Sequence, residues 1–318
     1  MKSIYLCEKK INIKNVYRTE ESVYSKEDVL KAPYLFKETE YIFSTWGMPI
    51  FTEEEIQTCL PSLKAVFYGA GSVQKFARPF LNCGVKVFSA WAANAVPVAE
   101  YTVAQIILAN KGFFKTMRYT DKAAAKAISA KYPGNFNVKV GIIGAGMIGK
   151  LVVKLLKNYN IEILVFDPFL PDETAKELNV KKTSLEKIFA ECQVVSNHLA
   201  NNAQTKGMLT RPLFEAMPPY ATFLNTGRGA QVAEPDLIAA LKARPDLTAI
   251  LDVTDPEPPE KESPLYTLPN CILTPHIAGS FGNEVCRMGN YMKEEYRNFT
   301  QNKPCQYEVT VEMLQTMA

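Results

Sequence analysis

The chain has 318 residues, of which 47% are hydrophobic and 22% are charged, and its formal net charge is +3. This composition is typical of a soluble globular protein, and the length predicts two domains. The small, scattered positive charge argues against nucleic-acid and anionic-membrane partners.

Neither the N-terminus nor the cysteines indicate export. The apolar part of MKSIYLCEKK is too short for a secretory signal, so we expect a cytoplasmic protein. The seven cysteines contain no C-x-x-C pair, which is typical of reduced structural thiols and argues against a metal site.

The first hundred residues alternate short apolar runs with helical patterns. Strands are predicted at residues 3–6, 41–44, 65–67 and 85–88, and helices at 25–31, 52–59 and 73–81. Strands that alternate with helices favour a small parallel sheet with both faces covered.

A long apolar helix is predicted next, from near residue 98 towards residue 114. Polar residues and Pro97 interrupt the most apolar window, residues 90–108, so we predict a buried helix with its entry loop and not a membrane span. The faces of the helix are too apolar for exposure, and burial between domains or subunits is expected.

Residues 138–167 combine a strand, a glycine-rich turn, a helix and a second strand. The apolar run 138–143 is followed by Gly144, Gly146 and Gly149, and then by a helical pattern. This is the G-x-G-x-x-G fingerprint of a dinucleotide site in its required setting. The first glycine allows the tight turn, the second admits the pyrophosphate, and the third lets helix and strand pack closely.

The residues around this turn predict NAD as the cofactor. The unpaired N–H groups of Met147 and Ile148 at the helix start would face the diphosphate. Asp167 follows the second strand, where it would accept hydrogen bonds from the adenosine ribose and repel a 2′-phosphate. None of the next three residues is an arginine, so NAD is predicted and not NADP. The alternative is a glycine-rich helix start with an aspartate there by chance.

The alternation of strands and helices continues after Asp167. Strands are predicted at 194–196, 221–224, 247–251 and 271–273, and helices at 185–192 (with Ser184 as N-cap), 211–217 and 234–242. This pattern is typical of a doubly wound sheet. A last helix, 282–299, has no predicted strand after it and is expected to return to the first domain.

We therefore predict an α/β protein with two doubly wound parallel sheets. Residues 1–99 begin a flavodoxin-like substrate domain, residues 100–281 form an inserted Rossmann NAD-binding domain, and residues 282–318 return to the substrate domain. In a two-domain enzyme of this class, the reaction is expected in the cleft between the domains.

Polar residues follow several predicted strands of the second domain. The only two histidines, His198 and His276, lie at predicted strand ends. Arg228 and Asp252 also lie at strand ends, and Glu257 lies in the loop after Asp252. Ligands bind at the carboxyl ends of the strands in an open α/β sheet. These strand ends therefore form the candidate site.

These residue types suit hydride transfer to a 2-oxo acid. The planar fork of donors on Arg228 matches a carboxylate, and Glu257 would favour the protonated form of His276. His276 could then donate a proton to the keto oxygen as hydride reaches the carbon, and act as a base in the reverse direction. Asp252 is better suited to the carboxamide or ribose of the nicotinamide half.

Each of these residues also has a structural alternative. Arg228 could be a surface residue in a glycine-rich turn, Glu257 a solvated loop carboxylate, His276 a structural histidine and Asp252 a loop cap. For His198, a structural or cofactor-contact role is favoured over catalysis.

With these residues in place, the chain resembles the D-isomer-specific 2-hydroxyacid dehydrogenases, which include D-glycerate, phosphoglycerate and glyoxylate/hydroxypyruvate enzymes. The ordered series Arg228, Glu257 and His276 is specific to this family. The other matching motifs cover nearly the whole chain: YGAGSV at 68–73, PVAEYTVA at 97–104, the fingerprint, VVSNHL at 194–199, FLNTGRGA at 223–230, LDVTDPEP at 251–258 and TPHIAGS at 274–280.

The resemblance implies roles for individual residues. It implies that Arg228 binds and polarises the substrate, that Glu257 tunes the histidine and that His276 is the proton donor. It also implies that the backbone N–H groups of Ser72 and Val73 receive the substrate carboxylate. Besides the fingerprint glycines Gly144, Gly146 and Gly149, the implied NAD contacts are Met147, Ile148, Asp167, Thr226, Arg228 and Asp252, with the backbone around His198 and Ala200 near the adenosine. Family members are typically dimers built on the long helix, so a homodimer is expected.

Departures from the family pattern bear on the substrate and the alternatives. The pocket segment FSTWGMP, residues 43–49, offers Trp46 but no arginine, which argues against a phosphorylated substrate. LANN replaces the usual Pro-Leu-Thr run after His198, and Gly227 stands where alanine is common. Two alternatives stay open: an NAD-sensing interaction protein on this fold, and a formate-dehydrogenase-like enzyme, which by resemblance would pair the histidine with glutamine.

Overall fold

The computed structural model describes residues 2–315, and the chain divides into two compact units within that range. Residues 2–94 and 280–315 form the first unit, and residues 95–279 form the second. The first unit is thus discontinuous in sequence. The functional roles expected for the two units stay predictions at this point.

Short strands and short helices alternate along residues 2–94. Ser25 and Thr52 begin two of the helices through capping boxes, in which the cap and the acidic residue three positions later exchange hydrogen bonds. The strands are β1 (Ser3–Leu6), β2 (Val23–Tyr24), β3 (Tyr41–Ser44), β4 (Ala65–Tyr68) and β5 (Lys86–Ser89). The helices are α1 (Lys10–Tyr17), α2 (Lys26–Lys31), α3 (Glu53–Cys59) and α4 (Ala77–Asn82).

Seven strands and eight helices follow. The strands are β6 (Phe136–Ile143), β7 (Asn160–Phe166), β8 (Lys181–Lys182), β9 (Val194–Asn197), β10 (Thr222–Asn225), β11 (Thr248–Leu251) and β12 (Cys271–Leu273). The helices are α5 (Trp91–Ala109), α6 (Phe113–Thr116), α7 (Lys122–Ser129), α8 (Met147–Leu156), α9 (Asp172–Glu177), α10 (Leu185–Glu191), α11 (Arg211–Glu215) and α12 (Glu234–Ala243).

The C-terminal segment adds α13 (Val285–Thr300) and β13 (Glu308–Val309) to the first unit. α13 packs closely on α1, because a Cβ at Gly289 would lie 2.1 Å from the carbonyl oxygen of Val16. The buried carboxylate of Glu295 accepts hydrogen bonds from the N–H groups of Gln306 and Tyr307, both at 3.0 Å. This contact turns the chain back, so that β13 pairs antiparallel with β5.

Both sheets have doubly wound strand orders. The first unit's sheet runs β13-β5-β4-β3-β1-β2, and its five parallel strands follow the flavodoxin-like order. The second unit's sheet runs β12-β11-β10-β9-β6-β7-β8, and the strands from β11 to β8 follow the Rossmann order. The predicted α/β class with two such sheets is confirmed.

Helices cover both faces of the seven-stranded sheet. One buried cluster joins α10, α11 and α12 to the sheet, and another joins α5, α8 and α9 to its opposite face. Within residues 2–315, α5 is the one helix long and apolar enough to cross a membrane by length and composition alone. Half of its most apolar window is buried inside the protein, as in the core helices of folded domains.

The structure corrects several predicted elements. α5 begins at Trp91, not near residue 98, because burial of the alanine-rich turns around Pro97 outweighs the hydrogen bond that proline removes. α4 begins at Ala77, four residues later than predicted, and a turn whose N–H groups bond to the Val73 carbonyl precedes it. α1 and α7 were not predicted. The expectation of no strand after the last helix is wrong, because β13 follows it.

Candidate active site

The candidate residues of the second unit follow the carboxyl ends of parallel strands at one edge of its sheet. The glycine-rich turn follows β6, and Asp167 follows β7. His198 follows β9, Arg228 lies three residues after β10, Asp252 follows β11, and His276 lies in the loop after β12. Since these strands are parallel, their loops share the edge at which ligands bind in open α/β sheets.

The three glycines of the turn differ in what a side chain would contact at each position. Gly144 has a φ of +90°, and a Cβ there would lie 2.6 Å from the carbonyl oxygen of His198. A Cβ at Gly149 would lie 2.0 Å from the carbonyl oxygen of Gly144, so helix and turn touch directly. Around Gly146, by contrast, a Cβ would meet nothing within 4 Å. This open space beside the backbone fits the approach of a pyrophosphate.

The start of α8 offers hydrogen-bond donors to an anion. Its N-cap is Gly146, and no side chain caps the first turn. The first N–H groups of a helix have no partner within the helix, and the helix dipole adds partial positive charge there. The ten-residue helix α8 thus presents a donor set that suits a diphosphate, as predicted for Met147 and Ile148.

Asp167 is tied to the glycine-rich turn. Its Oδ2 accepts the N–H of Ala145 at 2.6 Å, and its Oδ1 accepts the N–H of Phe169 at 2.8 Å. Each carboxylate oxygen has a second lone pair that can accept a ribose hydroxyl. The carboxylate is therefore held at the end of β7 in a position that suits the predicted ribose contact.

Asp252 holds the loop that carries His276. It is 2% exposed, and its carboxylate accepts hydrogen bonds from the Thr274 hydroxyl (2.5 Å) and from the N–H groups of Ile277 (2.9 Å) and Ala278 (2.9 Å). The Tyr101 hydroxyl lies 3.0 Å from that of Thr274 and extends the chain of contacts. The structure therefore gives Asp252 a loop-holding position, and its predicted nicotinamide contact stays a prediction.

The side chains of His276 and Glu257 are in direct contact. The Nδ1 of His276 lies 2.6 Å from Oε1 of Glu257, and the two side chains are 48% and 41% exposed. His276 has a φ of +55°, a conformation that costs energy for a residue other than glycine. Its N–H is shared between the carbonyls of Asp252 (3.1 Å) and Thr274 (3.0 Å), which stabilises this conformation.

Arg228 is partly buried among the strand-end loops of the second unit. Its Nη1 donates to the carbonyl of Gly227 at 2.8 Å, and none of the carboxylates within residues 2–315 forms an ion pair with it. Burial lowers the pKa of the guanidinium, and the nearby Glu257 carboxylate opposes that shift. A partly buried guanidinium without an anionic partner has donors that suit a bound anion.

His198 is buried and neutral. Its Nε2 lies 2.9 Å from the Ser196 hydroxyl, and its Nδ1 lies 3.3 Å from the Thr226 hydroxyl. Burial lowers the pKa of its imidazole to about 3. The Thr226 hydroxyl also lies 3.3 Å from that of Thr102 on α5. This geometry supports a structural position for His198.

Three buried amide side chains lie beside Arg228 and were missed by sequence reasoning. Asn197, Asn225 and Gln231 are each 0% exposed. Asn197 and Asn225 end the neighbouring strands β9 and β10, so a polar residue closing an apolar run was the available signal. Gln231 offered no such signal, because it lies in a short turn after Arg228.

The remaining predicted site residues lie in the first unit. Ser72 and Val73 follow β4, and neither N–H has a hydrogen-bond partner within residues 2–315. Trp46 is 40% exposed, and its carbonyl accepts a hydrogen bond from the Asn12 amide at 2.7 Å. Their substrate-binding roles stay predictions. No group of three or more potential metal ligands occurs in the described part of the chain.

Comparisons with known proteins identify relatives. Residues 103–278 match the model of the D-isomer specific 2-hydroxyacid dehydrogenase NAD-binding domain. D-3-phosphoglycerate dehydrogenase of Archaeoglobus fulgidus is 29% identical over 72% of this chain and 43% of its own length. YoaD of Bacillus subtilis, provisionally named a 2-hydroxyacid dehydrogenase, is 33% identical over 62% of this chain and 58% of its own. The chain thus spans about half the length of these curated relatives.

A solved structure shares the fold. The NAD-complexed D-isomer specific 2-hydroxyacid dehydrogenase from Lactobacillus delbrueckii ssp. bulgaricus superposes with a TM-score of 0.79. The superposition covers 98% of this chain and 100% of that one, at 18% sequence identity. At this level of identity the likeness concerns the fold alone.

Replacing Gly146 with alanine should weaken NADH binding without unfolding the protein. The added methyl group meets no protein atom but occupies the space beside the turn, so we expect the NADH dissociation constant to rise about tenfold or more. Gly149→Ala is the contrast, since its methyl group collides with backbone and should cost ~1–3 kcal/mol of stability. Fluorescence titration and urea unfolding measure the two effects. Unchanged NADH affinity in Gly146→Ala would contradict the assignment.

Buried His198 should make folding stability fall as the pH falls. In the unfolded chain, His198 binds a proton below about pH 6.5. In the folded chain, its imidazole binds a proton only near pH 3, because burial lowers its pKa to about 3. Between these two pH values, proton binding therefore favours the unfolded state. Between pH 8 and pH 5 this group should remove about 2 kcal/mol of stability. His198→Gln should lack that part of the loss in unfolding titrations. An equal pH dependence in both proteins would show that His198 titrates normally when folded.

Proposed function

Because the chain belongs to the D-isomer specific 2-hydroxyacid dehydrogenase family, we propose that it is an NAD-dependent oxidoreductase for small 2-hydroxy acids. The proposed reaction interconverts a 2-oxo acid and its (R)-2-hydroxy acid. The observation that carries the proposal is the His276–Glu257 pair at 2.6 Å, at the same sheet edge as Arg228 and the dinucleotide-type turn. A proton donor, a carboxylate-binding cation and a cofactor site are the parts this chemistry requires.

His276 is the proposed proton donor and acceptor. Its Nδ1 is engaged by Glu257, so its Nε2 is the ring nitrogen that remains for the reacting oxygen. In the direction of reduction, Nε2 donates its proton to the keto oxygen, which becomes the hydroxyl group. Glu257 holds the imidazole through Nδ1, and in oxidation the neutral imidazole accepts the proton back at Nε2.

Arg228 is the proposed anchor of the substrate. Its guanidinium can donate two parallel hydrogen bonds to the carboxylate of a 2-oxo acid and can polarise the keto oxygen. Because no carboxylate of the described chain pairs with it, this binding breaks no existing ion pair. Partial burial strengthens the attraction, since fewer water molecules compete for the donors.

The residues of the glycine-rich turn fit NAD. NADH, when bound, supplies the hydride. The open space at Gly146 and the uncapped start of α8 match the diphosphate. The Asp167 carboxylate, which follows them along the chain, matches the adenosine ribose. The Glu257–His276 pair also favours this reaction over the formate-dehydrogenase-like alternative, and over a binding protein that has no need of a proton donor.

We further propose a cytoplasmic homodimer. The seven cysteines are all unbridged, which suits a reducing compartment. Half of the residues in the most apolar window of α5 are not fully buried, and Leu108, Phe113 and Met117 expose apolar side chains on and after that helix. A second copy of the chain would bury this surface.

Removing the proton donor should abolish turnover without loss of cofactor binding. We expect His276→Gln to lower kcat by about 100-fold or more on the best substrate among glyoxylate, hydroxypyruvate, pyruvate and bulkier 2-oxo acids. The dissociation constant of NADH should stay near the wild-type value. Stopped-flow NADH oxidation and fluorescence titration measure the two quantities.

Two glutamate variants provide the matched control. Glu257→Gln removes the carboxylate beside the histidine and should lower kcat, whereas Glu260→Gln removes an exposed carboxylate of the same loop that pairs with no histidine in residues 2–315. The proposal fails if His276→Gln turns over at the wild-type rate, or if the two glutamate variants behave alike.

A further inference from the structure

We propose that Asn197, Asn225 and Gln231, here called the amide cluster, are positioning residues that fix the backbone of Arg228 for substrate binding. The inference rests on the proposed function and assigns part of its specificity to residues that do not touch the reactants. All three side chains are 0% exposed, so they act through Arg228 and not on a ligand directly.

Gln231 joins the Arg228 loop to the loop after β9. Its Oε1 accepts the N–H of Arg228 at 3.1 Å. Its Nε2 donates to the carbonyls of Leu199 (2.6 Å) and Ala200 (3.0 Å). One buried side chain thus ties the arginine to the segment that follows His198.

Asn225 holds the other side of the same residue. Its Nδ2 donates to the carbonyl of Arg228 at 3.1 Å, and its Oδ1 accepts the N–H of Gly227 at 3.1 Å. Together with the contact from Gln231, this engages both backbone polar groups of Arg228. The backbone of the arginine is therefore held on both sides, while its guanidinium bonds only to the Gly227 carbonyl within residues 2–315.

Asn197 fixes the orientation of the other two amides. Its Nδ2 donates to Oδ1 of Asn225 (3.0 Å) and to Oε1 of Gln231 (2.5 Å), and its Oδ1 accepts the N–H of Leu199 (3.2 Å). Reversing any one amide would place donor against donor or acceptor against acceptor. The cluster therefore has a single satisfied arrangement, which suits a rigid support.

Two glycines allow the cluster and the neighbouring loop to approach Arg228 this closely. A Cβ at Gly227 would lie 2.9 Å from Oε1 of Gln231 and 3.1 Å from Nδ2 of Asn197. A Cβ at Gly229 would lie 1.9 Å from the carbonyl carbon of Thr254, on the loop that leads to Glu257. Arg228 is thus enclosed from both sides by backbone and amides.

Fold stability alone does not account for three buried amides. A satisfied buried hydrogen bond contributes little net stability, and apolar side chains of similar shape can often replace such groups at no loss. A polar cluster centred on the backbone of one arginine instead reduces the freedom of that arginine before substrate arrives. Preorganisation of this kind lowers the cost of binding.

The decisive variant is Gln231→Met, which keeps the length of the side chain and removes its hydrogen bonds. We expect kcat/KM for the best 2-oxo acid to fall about 10- to 100-fold, mainly through KM, with the dissociation constant of NADH unchanged. The affinity of the NADH-bound enzyme for oxamate, an unreactive 2-oxo acid analogue, should fall by a similar factor in calorimetric titration.

A double-mutant cycle separates positioning from general damage. If Gln231 acts through Arg228, adding Gln231→Met to Arg228→Ala should cause no further loss of oxamate affinity or of residual kcat/KM. Asn270→Leu is the matched control: Asn270 is 2% exposed and its Nδ2 donates to the carbonyls of Leu241 (3.0 Å) and Arg244 (3.3 Å), away from the candidate site. Asn270→Leu should lower Tm but leave kcat/KM near the wild-type value.

Any of three results would overturn the inference. Gln231→Met could keep the wild-type kcat/KM and oxamate affinity, or it could lower both by the same factor with and without the Arg228 side chain. Asn270→Leu could also lower kcat/KM as much as Gln231→Met does. If Gln231→Met does not fold, Asn225→Asp serves instead, because it keeps the acceptor for Gly227 and loses the donor to the Arg228 carbonyl. If the wild type reduces no 2-oxo acid, the proposed function fails, and oxamate binding by the same variants still decides the role of the cluster.

Discussion

The buried carboxylate of Asp252 is the constraint on which the arrangement of the candidate site depends. A carboxylate in the interior is costly unless hydrogen bonds replace its water, and here three donors from residues 274–278 do so. The Asp252 carbonyl also accepts the N–H of His276, while its N–H donates to the Asn225 carbonyl. One residue therefore fixes the loop of the proposed proton donor and connects it to the strand that leads to Arg228.

The candidate site separates buried supporting residues from the residues that are proposed to react. Asp252 and the amide cluster are buried and fully engaged, whereas His276 and Glu257 are about half exposed, and Arg228 keeps donors without a protein partner. Rigid, hydrogen-bonded supports place polar groups where charge changes during a reaction and avoid reorganisation at that moment. This division accounts for the buried amides and carboxylate at one edge of a sheet whose faces are mostly apolar.

Sequence patterns predicted the fold better than the residues that support the candidate site. The apolar periodicity indicated the strands, and the fingerprint glycines indicated the start of α8. Both signals reflect local contacts, such as the backbone atoms that leave no room for a Cβ at Gly144 or Gly149. β13 was missed because two residues carry no periodic signal and depend on the distant Glu295. Gln231 was missed for a similar reason: its partners come from the loop after β9, and only the tertiary fold brings them together.

The most direct test of the central claim follows the hydrogen atoms of the reaction. In a single turnover with NADH deuterated at the transferable position, the account predicts deuterium at C2 of an (R)-2-hydroxy acid product and a slower reaction than with unlabelled NADH. It also predicts that heavy water slows the wild type further, and that the solvent isotope effect differs in His276→Ala, in which water has to supply the proton. Product without deuterium at C2, or the same solvent isotope effect with and without the His276 imidazole, would contradict the account.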